Sequence, residues 1–160
     1  MSQAFRIREF LMGDYEASYA LWQASEGIGL SAADSRENME SFLSQNRGLS
    51  FVAESAEGSL VGALLASCDG RRGFLYHCAV AGTHRRQGIG SALVDRALAA
   101  LANLGMRKCH IFVLADNAEG KRFWRRIGWE ERTTITVMSH DVVAGADAQG
   151  RGAGWRLKSW

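Results

Sequence analysis

The sequence has no apolar run near the roughly 20 residues that a membrane-spanning helix requires, and its first ten residues, MSQAFRIREF, lack the apolar stretch of a signal peptide. The expectation is a cytoplasmic protein with no membrane partner. Cysteine is scarce: three residues, Cys68, Cys78 and Cys109, an odd count with no C-x-x-C pair. That argues against a disulfide framework or a zinc site and for buried thiols. The four histidines, His77, His84, His110 and His140, show no metal-ligand spacing on a helix, so no metal is expected. Net charge is only +2 and no basic-aromatic stripe is present, which gives no footing for a nucleic-acid partner. Internal repeats and domain linkers are missing too.

What is present suits one domain. A chain of 160 residues with 47% hydrophobic and 22% charged side chains can bury a proper core. The pattern predicts a single domain over residues 1–140 and a Gly/Ala-rich tail over 141–160, carrying Trp155 and Trp160, that reads as weakly ordered or as an appendage. Charge is unevenly spread: His84 to Arg126 holds nine Lys/Arg against three Asp/Glu, so the remainder is net acidic. A local basic field suits a small polyanion, or is a solvated face.

Periodicity supplies the elements. FRIREF, Phe5 to Phe10, alternates and reads as a strand. Helical spacing follows from Gly13 to Ala24, and again after a cap at Asp34 or Ser35 with Met39, Phe42 and Leu43 on one face. Leu49–Glu54 and Leu60–Ser67 read as a hairpin, and Phe74–Ala81 as the next strand. A long helix from Gly88 to Asn103 carries Ile89, Leu93, Val94, Ala97, Leu98 and Leu101 as an apolar stripe. Lys108–Leu114 reads as a central strand, Ala118–Ile127 as a short helix, and the β-branched Thr133–Ser139 as a last strand. The order is β-α-α-β-β-β-α-β-α-β, a mixed α/β sheet with helices on its faces.

The stretch that organises the rest is the strand FLYHCAV, the turn RRQGIG and the helix that begins there. Arg85, Gly88 and Gly90 make R-x-x-G-x-G. Two glycines let backbone approach backbone or ligand, and the unpaired N–H groups and dipole of a helix N-terminus favour an anion. The pattern is neither a Walker turn, having no Lys-Ser/Thr pair, nor a dinucleotide fingerprint, which belongs near the first strand. Phosphate binding and a tight connection both stay open on these residues alone.

A second motif, Asn117, Phe123-Trp124 and Gly128-Trp129, follows at a fixed separation. Together, over Phe5 to His140, the two resemble the GNAT superfamily of N-acetyltransferases, and DGRRG followed by a strand and CAV looks like its bacterial YpeA-like branch. The resemblance implies a GNAT-like fold splayed between its fourth and fifth strands, with acetyl-CoA as cosubstrate. Its pyrophosphate would lie on the backbone of Arg86, Gln87, Gly88, Ile89, Gly90 and Ser91, assisted by the Arg85 and Arg86 side chains. The pantetheine arm would pair with the strand at Cys78, Ala79 and Val80, the Cys78 N–H facing the thioester carbonyl. Asn117, Phe123 and Trp124 would lie beside the arm. The acceptor, a small-molecule or peptide amine, would enter between the first two helices, near Trp22, Glu26, Ile28 and Leu30.

Many members of the family use a Glu or His on the fourth strand as base and the Tyr of the second motif as acid; here Phe74 stands where one branch keeps its Glu, and Trp124 replaces the Tyr. Indole N–H is no practical acid near neutral pH. Tyr76 and His77 remain as proton carriers, beside a water relay and catalysis by positioning. Strand alternation places Tyr76 and Cys78 on one face and His77 on the other. Cys78 as a nucleophile is a further reading, against the family's direct transfer. The implied activity is acetyl transfer from acetyl-CoA to an amine, with a non-catalytic acyl-CoA-binding module as the alternative. A homodimer, through TTITVMS or the Trp-bearing tail, is an expectation by analogy.

Overall fold

A computed structural model describes residues 5–142; the expected tail from 143 onward lies outside the described residues. One sheet carries five strands in the order β1 (Phe5–Glu9), β2 (Phe51–Ser55), β3 (Leu60–Cys68), β4 (Gly73–Val80) and β5 (Cys109–Ile111). Pairing is antiparallel from β1 to β4, whereas β5 lies parallel to β4. A parallel pair requires a crossover, and helix α3 (Ile89–Asn103) supplies it. Helices α1 (Tyr15–Gln23) and α2 (Arg36–Gln45) lie between β1 and β2, and α4 (Ala118–Arg126) follows β5. No helix among the described residues is long and apolar enough to cross a membrane.

Both faces of the sheet are covered, so β2 and β3 are nearly continuous apolar runs rather than alternating ones. On one face the expected stripe of α3 (Ile89, Leu93, Val94, Ala97 and Leu101) packs with Trp124 onto Leu64, Ala66 and Leu75. On the other, Tyr15 and Trp22 of α1 and Met39 of α2 pack onto Val52, Ala63, Leu65 and Ala79. Of the two candidate caps for α2, Ser35 takes the role, its Oγ accepting from Asn38 N–H. Asp34 instead closes the 3₁₀ turn before it, Oδ2 accepting from Ser31 N–H.

Two expectations need correction. The strand expected over Lys108–Leu114 forms only at Cys109–Ile111, because beyond Leu75 the two chains part and a strand needs a partner. Thr133–Ser139 forms no strand: it lies exposed, with Ile135, Val137 and Met138 facing outward and no neighbouring strand paired to it among the described residues. β-branched residues fit a pleated, half-buried surface, and here no such surface is offered.

Candidate active site

β4 is the element that builds the site, and its ladder to β3 is irregular. Leu65 faces Tyr76 and Ala63 faces Ala79, so β4 carries one residue more than β3 across this interval. The extra residue is accommodated at His77, whose φ is 51°. This bulge corrects the expected alternation. Tyr76 meets the Phe42 ring edge-on and His77 lies against the Trp22 ring, so both face α1 and α2, while Cys78 packs against the α3 core.

On its other edge β4 pairs with β5 only at Gly73, Phe74 and Leu75. From Tyr76 to Val80 that edge opens into a cleft of about 1270 Å³, lined on the far side by Ile111 to Leu114 and by α4. The volume exceeds the roughly 300–1,000 Å³ of an ordinary small-molecule pocket, which suits a long ligand together with a second reactant. The N-terminus of α3 stands at its rim. Helix geometry leaves the N–H groups of Ile89, Gly90 and Ser91 without intrahelical carbonyls, and among the described residues no side chain caps the helix. Gly88, the residue before the helix, has φ 82°, a left-handed turn that L side chains disfavour. Gly90 has a different reason: a Cβ there would meet the Phe123 ring at 3.1 Å, so its absence lets α4 close against α3.

The cleft gathers most of the expected residues. Tyr76, His77, Cys78, Ala79, Val80, Arg85, Arg86, Gly88, Ile89, Gly90, Ser91, Asn117, Phe123 and Trp124 line it, as do Glu26 and Ile28 of the α1–α2 connection. Asn117 also caps α4, its Oδ1 accepting from Gly120 N–H at 2.8 Å. Three expected residues lie elsewhere. Trp22 is fully buried on the inward side of α1, stacked on Phe10, because its large apolar ring is worth more in the core than at the cleft wall. Leu30 packs on the same core. Gln87, held between left-handed Arg86 and Gly88, is exposed to solvent outside the cleft. Arg71 and Arg72 sit in the β3–β4 turn, their N–H groups bonded to Asp69, away from the cleft.

Electrostatically the cleft is mixed, with a basic rim. Arg85, Arg86, Arg122 and Arg126 line it against Glu26, Asp116 and Glu119. Burial pushes the Cys78 thiol up to about 12, so it stays protonated near neutrality and is a poor nucleophile. Reasoning from sequence missed Arg122 and Arg126, whose helical spacing places them on one side of α4. It also missed Asp34, whose partner His77 lies 43 residues away.

A profile of the acetyltransferase (GNAT) family matches residues 8–129. The chain belongs to that family. The match spans the sheet, the bulge, the glycine turn and α4, so this GNAT domain includes the whole cleft. An acetyltransferase of Pectobacterium atrosepticum is 30% identical over 131 residues, covering 82% of this chain and 92% of that protein. Ard1 from Thermoplasma volcanium superposes with a TM-score of 0.69 at 28% identity, over 78% of this chain and 82% of that one. A Mycobacterium tuberculosis protein in complex with CoA shares the fold, with a TM-score of 0.64 at 22% identity, over 82% of this chain and 76% of that one.

Proposed function

We propose that this GNAT domain moves an acetyl group from acetyl-CoA directly to an amine, on a small molecule or an exposed peptide. The observation that carries the reading is the meeting, in one cleft, of an unpaired β4 edge with the bare N-terminus of α3. The residues present fit the cosubstrate. The N–H groups of Ile89, Gly90 and Ser91, the left-handed turn at Arg86 to Gly88, and the Arg85 and Arg86 side chains form a cradle for a pyrophosphate. The β4 edge from Cys78 to Val80 offers backbone groups to an amide-bearing arm, and Phe123 and Trp124 give it an apolar wall.

Acetyl-CoA supplies an activated acyl group. The protein's part is to hold the reactants together, to place an N–H donor where oxyanion charge develops, and to move two protons. Cys78 N–H is the donor we assign, by position on the free edge. Glu26, on the acceptor side, is the carboxylate positioned to meet an ammonium. Trp124 in place of a tyrosine favours a second reading, a CoA-binding module without transfer.

A thermal-shift titration with acetyl-CoA, CoA and ATP tests the assignment, followed by thiol release across a panel of amines. A ligand at about 100 times its dissociation constant adds roughly 2.7 kcal/mol. Stabilisation by both CoA species and not by ATP, with thiol release for some amine, is the expected result. Stabilisation without release would favour the module, and no shift with either CoA species would overturn both readings.

A further inference from the structure

His77 does not stand alone in the bulge. Its Nε2 lies 2.6 Å from Asp34 Oδ1, and only 12% of its side chain and 11% of Asp34's remain accessible. Asp34 is held from two further sides: Oδ2 accepts from Ser31 N–H at 2.8 Å, and its carbonyl accepts from the Tyr15 hydroxyl at 2.8 Å. The Trp22 ring packs on the imidazole with centroids 5.1 Å apart. A left-handed, non-glycine residue in a strand costs about 1–3 kcal/mol, and this network holds it in place. No hydrogen bond reaches His77 Nδ1 among the described residues, and His77 is one of the residues that line the cleft.

We propose that Asp34 is a positioning residue that fixes His77 as the Nε2–H tautomer, leaving Nδ1 as the base that deprotonates the acceptor amine. This inference rests on the acetyltransferase reading above. An ionised carboxylate only accepts, so the nitrogen facing Asp34 carries a proton, and in the neutral imidazole the other nitrogen is then free to accept one. Burial by itself raises the Asp34 carboxyl. The hydrogen bond from His77 and that from Ser31 N–H outweigh this and hold it below its ordinary value, so it is ionised near neutral pH.

The proton balance is simple. His77 Nδ1 takes one proton from the acceptor ammonium and becomes imidazolium, stabilised by the Asp34 carboxylate. The neutral amine then forms the C–N bond as the C–S bond breaks, its electron pair leaving on sulfur. The nitrogen's second proton neutralises the departing thiolate, and His77 returns its own to solvent. The assignment supplies a base where Phe74 replaces a carboxylate, and passing the nitrogen's second proton to sulfur asks nothing of Trp124.

Asp34→Asn is a sharp test because the two carboxylate oxygens have different partners. The amide oxygen stays on Ser31 N–H, so the NH₂ group faces His77 and donates to Nε2. The imidazole proton must then sit on Nδ1, and the base is lost with little change in shape. Long-range ¹⁵N–¹H spectra of the histidines, with the His77 signals assigned by their loss in His77→Gln, read the tautomer without any ligand. The expected result is Nε2–H in the natural protein and Nδ1–H in D34N. CoA affinity should be unchanged and kcat/KM for the amine lowered about 10²–10⁴-fold in both variants, with no further loss when they are combined.

An Nδ1–H tautomer in the natural protein, or a D34N variant that keeps its kcat, would overturn the proposal. So would a protein that binds CoA and releases no thiol with any amine. A purely structural latch would lower Tm and leave kcat per folded molecule intact, which also overturns it. Failure to bind CoA sinks the acetyltransferase reading by a separate measurement, and the tautomer still decides the Asp34 assignment.

Discussion

Gly88 and His77 occupy left-handed backbone ten residues or so apart, for opposite reasons. At Gly88 no side chain would collide, since an added Cβ meets nothing within 4 Å. The requirement is the φ of 82° alone. Gly88→Val should therefore cost about 1–3 kcal/mol through the backbone and tilt the first N–H groups of α3 away from the rim. Urea unfolding should show a modest loss, whereas calorimetric titration should show CoA binding reduced to undetectable. Affinity equal to the natural protein's would mean the cradle is not there. His77 is the reverse case, a side chain strained into place by its partners. Cys78, beside it, was a candidate nucleophile on sequence grounds. Its burial keeps the thiol protonated, and the role proposed for it falls to its backbone N–H.

At the scale of elements, a charge cluster ties β1 to β2 and to the start of α1. Arg8 on β1 donates to both oxygens of Asp14, at 2.7 Å each, just before α1, and its Nε donates to Glu54 of β2 at 2.7 Å. Partial burial raises the Asp14 carboxyl, but the Arg8 guanidinium and the Leu11 N–H lower it further, and the net shift is downward. A carboxylate whose folded pKa lies below its unfolded one contributes stability that is present above the unfolded value, about 3.9, and lost as pH falls through the folded value. Asp34 shifts in the same direction. Stability should thus be flat near neutrality and fall below about pH 4. Urea midpoints measured from pH 6 to pH 2 should fall less steeply in Asp14→Asn than in the natural protein. An equal slope would mean that the cluster contributes nothing on folding.

For the whole molecule, the basic stretch from His84 to Arg126 folds into the glycine turn, α3 and α4, so chain segments apart in sequence converge on one cleft. A field of exposed cations is screened by salt within about 10 Å at 0.1 M. CoA binding should weaken severalfold between about 0.05 M and 0.5 M salt, mainly through slower association. Arg86→Ala and Arg122→Ala should flatten that dependence. A salt-independent affinity would show that these arginines face solvent rather than the ligand.

The sequence by itself determined nine of the ten expected elements, their order, and the glycine turn, because helix spacing and turn chemistry are local and the five strands that formed each found a partner. A helix declares itself by spacing along one segment, and R-x-x-G-x-G needs only its own backbone. The last strand, Thr133–Ser139, failed because β-structure is completed by a partner, and no pattern within the segment reports whether one is there. The same limit hid the geometry at the β4 bulge. Alternation placed His77 opposite Tyr76, and one extra residue against β3 turned it to the same side. Asp34 read only as a possible helix cap, and Ser35 capped the helix instead, leaving a carboxylate free to meet an imidazole far along the chain. Local backbone preference is written residue by residue; which face a bulge presents, and which distant charge meets it, is decided only when the sheet and the loops pack.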